Sequence, residues 1–119
     1  MPPKKNPLNL NTLQLKTLTI LQELARSPHH AAPAGEENGG GGGVLVTNLP
    51  HPHGDHFHVG PEAVAFTKDA SGLTNPAVWT ALERKGLIRS EFPHAAILTE
   101  AGLAYDTGLR DTILHRSHH

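Results

Sequence analysis

Between His51 and His58 the chain reads HPHGDHFH, which puts four histidines and an aspartate into eight residues. Imidazole nitrogens and a carboxylate are ligands for divalent metals of borderline softness. His51, His53, Asp55, His56 and His58 are therefore the candidate metal ligands, with zinc, nickel or copper as the ion. His94, or His115, His118 and His119 near the C-terminus, could complete such a site. The competing reading is a solvent-facing histidine turn that takes up metal only adventitiously. Other chemistry is excluded or unsupported. Cysteine is absent, so disulfides, thiolate zinc sites and cysteine nucleophiles drop out. Ser71 and Ser90 have no nucleophile context, and the run Gly39 to Gly43 lacks the following Lys-Ser/Thr of a phosphate-binding loop. The expectation is a protein that is not an enzyme.

The elements that must position these residues follow from pattern. In LNLNTLQLKTLTILQELARSP, Asn11 can cap a helix with Gln14 reaching back, a capping-box spacing, and Leu10 and Leu15 fit a hydrophobic staple. Leu18, Leu21, Leu24 and Ala25 extend one apolar face until Pro28, which predicts a helix over 12–26. Residues 27–43, SPHHAAPAGEENGGGGG, offer hardly a side chain larger than alanine to a core and read as a flexible loop. His29 and His30 in that loop are given no role, and the MPPKKNP segment before the helix reads as loose.

Val44 to Thr47 is a short β-branched strand, and a second strand is expected through Phe57, His58 and Val59. With Gly54-Asp55 as the turn between them, His53 would face His56 and His51 would face His58. All four imidazoles would then share one face, with Val44, Val46, Phe57, Val59 and Ala63 on the other. Pro50 and Pro52 cannot donate to a ladder, so an irregular loop is the alternative. Further on, Thr74 or Asn75 caps a helix TNPAVWTALERKG, with Pro76 at its first position and Gly86 as its stop. Val78, Ala81, Leu82 and part of Trp79 form its buried side. Leu87 to Arg89 and Ala96 to Thr99 make a hairpin about Glu91 to Pro93, and the rest reads as helical pieces interrupted near Gly108. Trp79 and Tyr105 are assigned to the core.

The run NPAVWTALERKGLIRSEFPHAAILTEAGLAYD resembles the recognition helix, wing and following helix of winged helix-turn-helix proteins, above all MarR-like and PadR-like regulators. The resemblance covers about residues 74–106, carried by "LERKGLI" and "LTEAG", with 13–26 as a first helix. It implies duplex DNA as partner, read by a helix in the major groove and steadied by wing residues on phosphates. Asn75, Thr80, Glu83, Arg84, Lys85 and Arg89 would then form the DNA-facing set. The same domain can serve protein contact, so a homodimer is the other expected partner. One departure is visible. VGPEAVAFTKDASGL stands where the motif has its second helix, and it lacks a helical pattern. Separately, HPHGDH is similar to the His-x-His-x-Asp-His loop of metallo-β-lactamase-fold hydrolases, and VLVT resembles the strand before it. That resemblance implies His51 and His53 on one metal, Asp55 and His56 on the other, and zinc as cofactor. The fold also needs two large sheets and distant ligands, whereas only 63 residues follow His56. The match is therefore read as local.

Composition sets the frame. Ten Lys+Arg against 11 Asp+Glu give a net charge of −1, without the basic excess that marks many nucleic-acid binders. Histidine titrates near pH ~6.5 in isolation, so ten of them make that charge pH-sensitive. No apolar run approaches a membrane span, which predicts a soluble, cytoplasmic protein. The expected architecture is α+β: one small winged-helix-like domain with a disordered glycine-rich insertion after its first helix. In that reading 8–26 supply the first helix, 27–43 the loop, and 44–119 the strands, second helix, hairpin and helical tail.

Overall fold

Asn11 starts the first helix in the way its spacing predicts. Its side chain accepts from the Gln14 backbone at 2.8 Å while Gln14 Oε1 accepts from the Asn11 backbone at 3.0 Å. Helix α1 (Thr12–Leu24) follows, and Leu18, Ile20, Leu21 and Leu24 are wholly buried. Its two buried threonines spend their hydroxyls on the carbonyls one turn back, Thr17 on Leu13 and Thr19 on Leu15. The computed structural model describes residues 6–33, 43–50, 54–59 and 63–116.

After α1 come β1 (Ala31–Pro33), β2 (Val44–Val46), β3 (His56–His58) and β4 (Ala63–Phe66), then two 3₁₀ turns at Thr67–Asp69 and Ser71–Thr74. Helix α2 (Pro76–Arg84) leads into the hairpin of β5 (Ile88–Glu91) and β6 (Ala95–Leu98). Two short helices, α3 (Glu100–Ala104) and α4 (Arg110–Ile113), and a last strand β7 (Leu114–Arg116) complete the order. The strands form two antiparallel sheets, β1-β2-β6-β5 and β3-β4-β7. Both sheets, α1 and α2 contribute to one apolar core, in which Trp79 is the largest fully buried side chain. Among the described residues no helix is long and apolar enough to cross a membrane.

The architecture is thus α+β, and three expectations change. The first concerns the loop. Residues 27–33 are ordered: the Ser27 carbonyl accepts from His30 and Ala31, and β1 runs Ala31↔Val46 to Pro33↔Val44 along β2. Composition misses this because an edge strand is held by main-chain hydrogen bonds, not by side-chain burial, and Ala32 and Pro33 are exposed. Residues 34–42 lie outside the described set. The second concerns the histidine hairpin. β2 does not pair with the strand at 56–58, because both its edges are taken, by β1 and by β6 (Leu45↔Ile97). β3 instead forms a hairpin with β4, His56↔Phe66 to His58↔Val64. The third concerns the tail. Leu114 to Arg116, expected as helix, extend to cover the free edge of β4, with Ala65↔Leu114 and Val64↔His115.

The weak helical pattern of VGPEAVAFTKDASGL also has its explanation here, from residue 63 onward. In place of a helix, the two 3₁₀ turns pack against α1, where Lys16 meets buried Asp69 at 2.8 Å. Gly72 sits so close to α1 that a Cβ there would lie 1.9 Å from Thr17 Oγ1.

Candidate functional site

α2 is held from behind and left open in front. Asn75 caps it by accepting from the Ala77 backbone at 3.0 Å, and Pro76 occupies its first position. Val78, Trp79 and Leu82 are buried. The Trp79 indole N–H donates to the Gly72 carbonyl at 3.2 Å, and the ring meets Phe92 edge-on at 5.1 Å. Thr80, Glu83, Arg84 and Lys85 are exposed. Thr80 and Arg84 stand four residues apart, so they are neighbours on one helical face.

The two sequence phrases "LERKGLI" and "LTEAG" prove to be halves of one clamp. Gly86 takes the left-handed φ of +78° that ends α2. The Thr99 hydroxyl donates to the Gly86 carbonyl at 2.7 Å and accepts from the Gly102 backbone at 3.0 Å, while the Thr99 N–H reaches the Leu87 carbonyl at 3.1 Å. The end of α2, the start of β5 and the start of α3 are thereby fixed together. Glu83 Oε2 accepts from the Ser90 backbone at 3.0 Å, which ties the helix to the strand that carries Arg89.

Of the residues expected to face DNA, Thr80, Arg84 and Lys85 share the exposed end of α2 and Arg89 is exposed on β5. Asn75 is committed to its cap, and Glu83 to Ser90. Lys85 has a partner that sequence reasoning missed: its ammonium donates to the Leu8 carbonyl at 2.9 Å. The Leu8 N–H in turn donates to the Tyr105 hydroxyl at 3.0 Å, and that hydroxyl donates to Asn6 Oδ1. A partly buried tyrosine needs a partner for its hydroxyl. That need was the only sequence signal for this strap, and it does not name the partner.

The histidine motif is divided. His51 and His53 lie outside the described residues. His56 and His58 are exposed on β3 while Phe57 between them is buried, so the predicted alternation of faces holds. Across the sheet the row His58, Val64, His115 continues that face. The His115 ring, however, leans on Phe66 with centroids 5.0 Å apart. Asp55 is exposed in the turn before β3. Among the described residues no three His, Cys, Asp or Glu side chains are grouped to hold a metal ion. Elsewhere, an open polar cleft of about 330 Å³ between α1 and the α3–α4 turn includes Arg26, Arg110, Asp106 and Asp111. Its charges balance and it contains no nucleophile next to a base.

No family model matches the chain, and no curated protein and no solved structure is significantly similar to it.

Proposed function

We propose that this chain is a winged-helix-type regulatory module that docks α2 on duplex DNA. The observation that carries the reading is a buttressed helix with its polar face open, followed at once by a two-stranded hairpin that would serve as the wing. Further support comes from strand order, in which β2, the second strand after α1, lies beside the hairpin as β2-β6-β5. The 3₁₀ turns at 67–74 stand where the motif's second helix would be, packed on α1. On this reading Thr80 and Arg84 enter the groove, and Lys85 and Arg89 meet phosphates.

The test is fluorescence anisotropy with a pool of random duplexes across a salt series. Arg84, Lys85 and Arg89 would release about three counterions per protomer, so log K against log salt should fall with a slope of at least about −2.7. Arg84→Ala should weaken binding and flatten the slope by about 1. A wild-type protein that binds no duplex at low salt overturns the reading, and the same open face would then serve a protein partner or a second copy.

A second reading rests on β3, where His56 and His58 point from one exposed face two residues apart. In that reading the face, with His51, His53 and Asp55 of the same motif, holds zinc, nickel or copper. A ligand that binds only the folded state raises its stability by mass action. Zinc should therefore raise the melting temperature, and His58→Ala should abolish the rise. A melting temperature that ignores both zinc and chelator at neutral pH removes this reading.

A further inference from the structure

We propose that Tyr105 is a positioning residue for the DNA-docking face: through the turn at Asn6 to Leu10 it sets the Lys85 ammonium in place before a phosphate arrives. This rests on the DNA-docking reading and says how one of its phosphate contacts is prepared.

The argument starts with what an exposed lysine costs. Its four-carbon stem is flexible, and holding it on a phosphate gives up rotamer freedom. For one side chain that loss corresponds to about two- to twelvefold in affinity. Lys85 has surrendered much of this freedom already. Its backbone N–H is fixed on the Ala81 carbonyl at the end of α2, and its ammonium is fixed on the Leu8 carbonyl at 2.9 Å. An ammonium has three donors, so the Leu8 bond leaves capacity for a phosphate oxygen.

The carbonyl that holds Lys85 is itself held, without help from Lys85. Asn6, Pro7, Leu8 and Asn9 form a tight turn, closed by the Asn9 N–H on the Asn6 carbonyl at 2.9 Å, with proline second. Asn6 and Asn9 take left-handed φ values of +53° and +58°, which asparagine tolerates. The Asn6 side chain donates to the Leu10 carbonyl at 2.8 Å and accepts from its N–H at 2.9 Å. Leu10 is buried and Leu8 packs against the core. The Tyr105 hydroxyl joins the two ends of this turn, accepting from the Leu8 N–H and donating to Asn6 Oδ1. Tyr105 is anchored in turn, because Gln22 Nε2 on α1 donates to its carbonyl at 2.7 Å. One hydroxyl thus connects α1, the N-terminal turn and the end of α2.

The full chain tests this in the same anisotropy assay, as a double-mutant cycle. Tyr105→Phe keeps the ring and deletes the hydroxyl, so duplex affinity should fall about two- to twelvefold. Lys85→Ala should flatten the salt slope by about 0.9. In the Lys85→Ala background, Tyr105→Phe should cost no further affinity, since the group it positions is gone. Asn6→Gly removes the acceptor of the tyrosine hydroxyl while accepting the same left-handed φ, and should reproduce the pattern. An equal loss from Tyr105→Phe with and without Lys85 would mean that the hydroxyl serves the fold alone, and overturns the inference. A gain in affinity overturns it too, because the Leu8 carbonyl would then compete with phosphate for the ammonium. So does a salt slope that ignores Lys85→Ala. In each of these cases DNA docking stands, whereas a wild type that binds no duplex overturns both.

Discussion

Trp79→Ala should remove about 3–5 kcal/mol of stability, the range for deleting a large aromatic from a packed core. Domains of this size are stable by about 5–15 kcal/mol, so the variant would keep a minor share of that or none. Three losses combine. The side chain is wholly buried, so its removal leaves a cavity beside Gly72 and Phe92. The Gly72 carbonyl loses its indole donor, and Phe92 loses the ring it meets edge-on. Urea unfolding measures the effect as a lower midpoint at unchanged slope. Trp79→Phe, which keeps an aromatic ring in place, should cost distinctly less. A loss no larger than that of Phe66→Ala, a residue 41% exposed, would show that Trp79 is not the centre of the core.

Gly102→Ala is the smallest change with a large expected cost. A Cβ at that position would sit 2.0 Å from the Leu87 carbonyl oxygen. That oxygen already accepts from the Thr99 N–H, and the Thr99 hydroxyl is held by Gly86 and Gly102, so neither side of the contact can yield without opening the clamp. Overpacking of this kind costs about 1–3 kcal/mol, and a contact with main chain belongs at the upper end. Gly108→Ala is the control. Its φ is +72° but nothing lies near its Cβ position, so only the backbone penalty of about 1–2 kcal/mol applies. Thermal melts of the two variants side by side decide the matter: equal losses would mean that Gly102 is required for conformation and not for close approach.

Elements marked by local chemistry were legible in the sequence. The Asn11–Gln14 box, Pro76 after Asn75, Gly86 after the second helix and Thr99 before the third all act within a few residues, and each stands where its spacing predicts. Pairing partners were not legible. Nothing local in Val44 to Val46 says that both its edges will be occupied, one by a strand from a segment rich in alanine and histidine. The alternation that buries Phe57 and exposes His56 and His58 was correct even though the assumed partner strand was wrong, since alternation belongs to any strand. The same limit applies to the candidate site. Arg84 and Thr80 follow from helical periodicity, whereas the bond from Lys85 to Leu8 spans the chain and leaves no trace in spacing.

The position of β2 also bears on how the molecule reaches its native state. Val46 and Ala96 are register partners some fifty residues apart, whereas β5 and β6 are joined by a turn of three. Closing a long loop costs entropy that a short one does not, and chains rich in distant pairings fold more slowly. α2 and its hairpin can therefore form early as a local unit. The arrival of β2 on the far edge of β6, which joins the halves of the four-stranded sheet, must instead close a long loop, as must the pairing of β4 with β7.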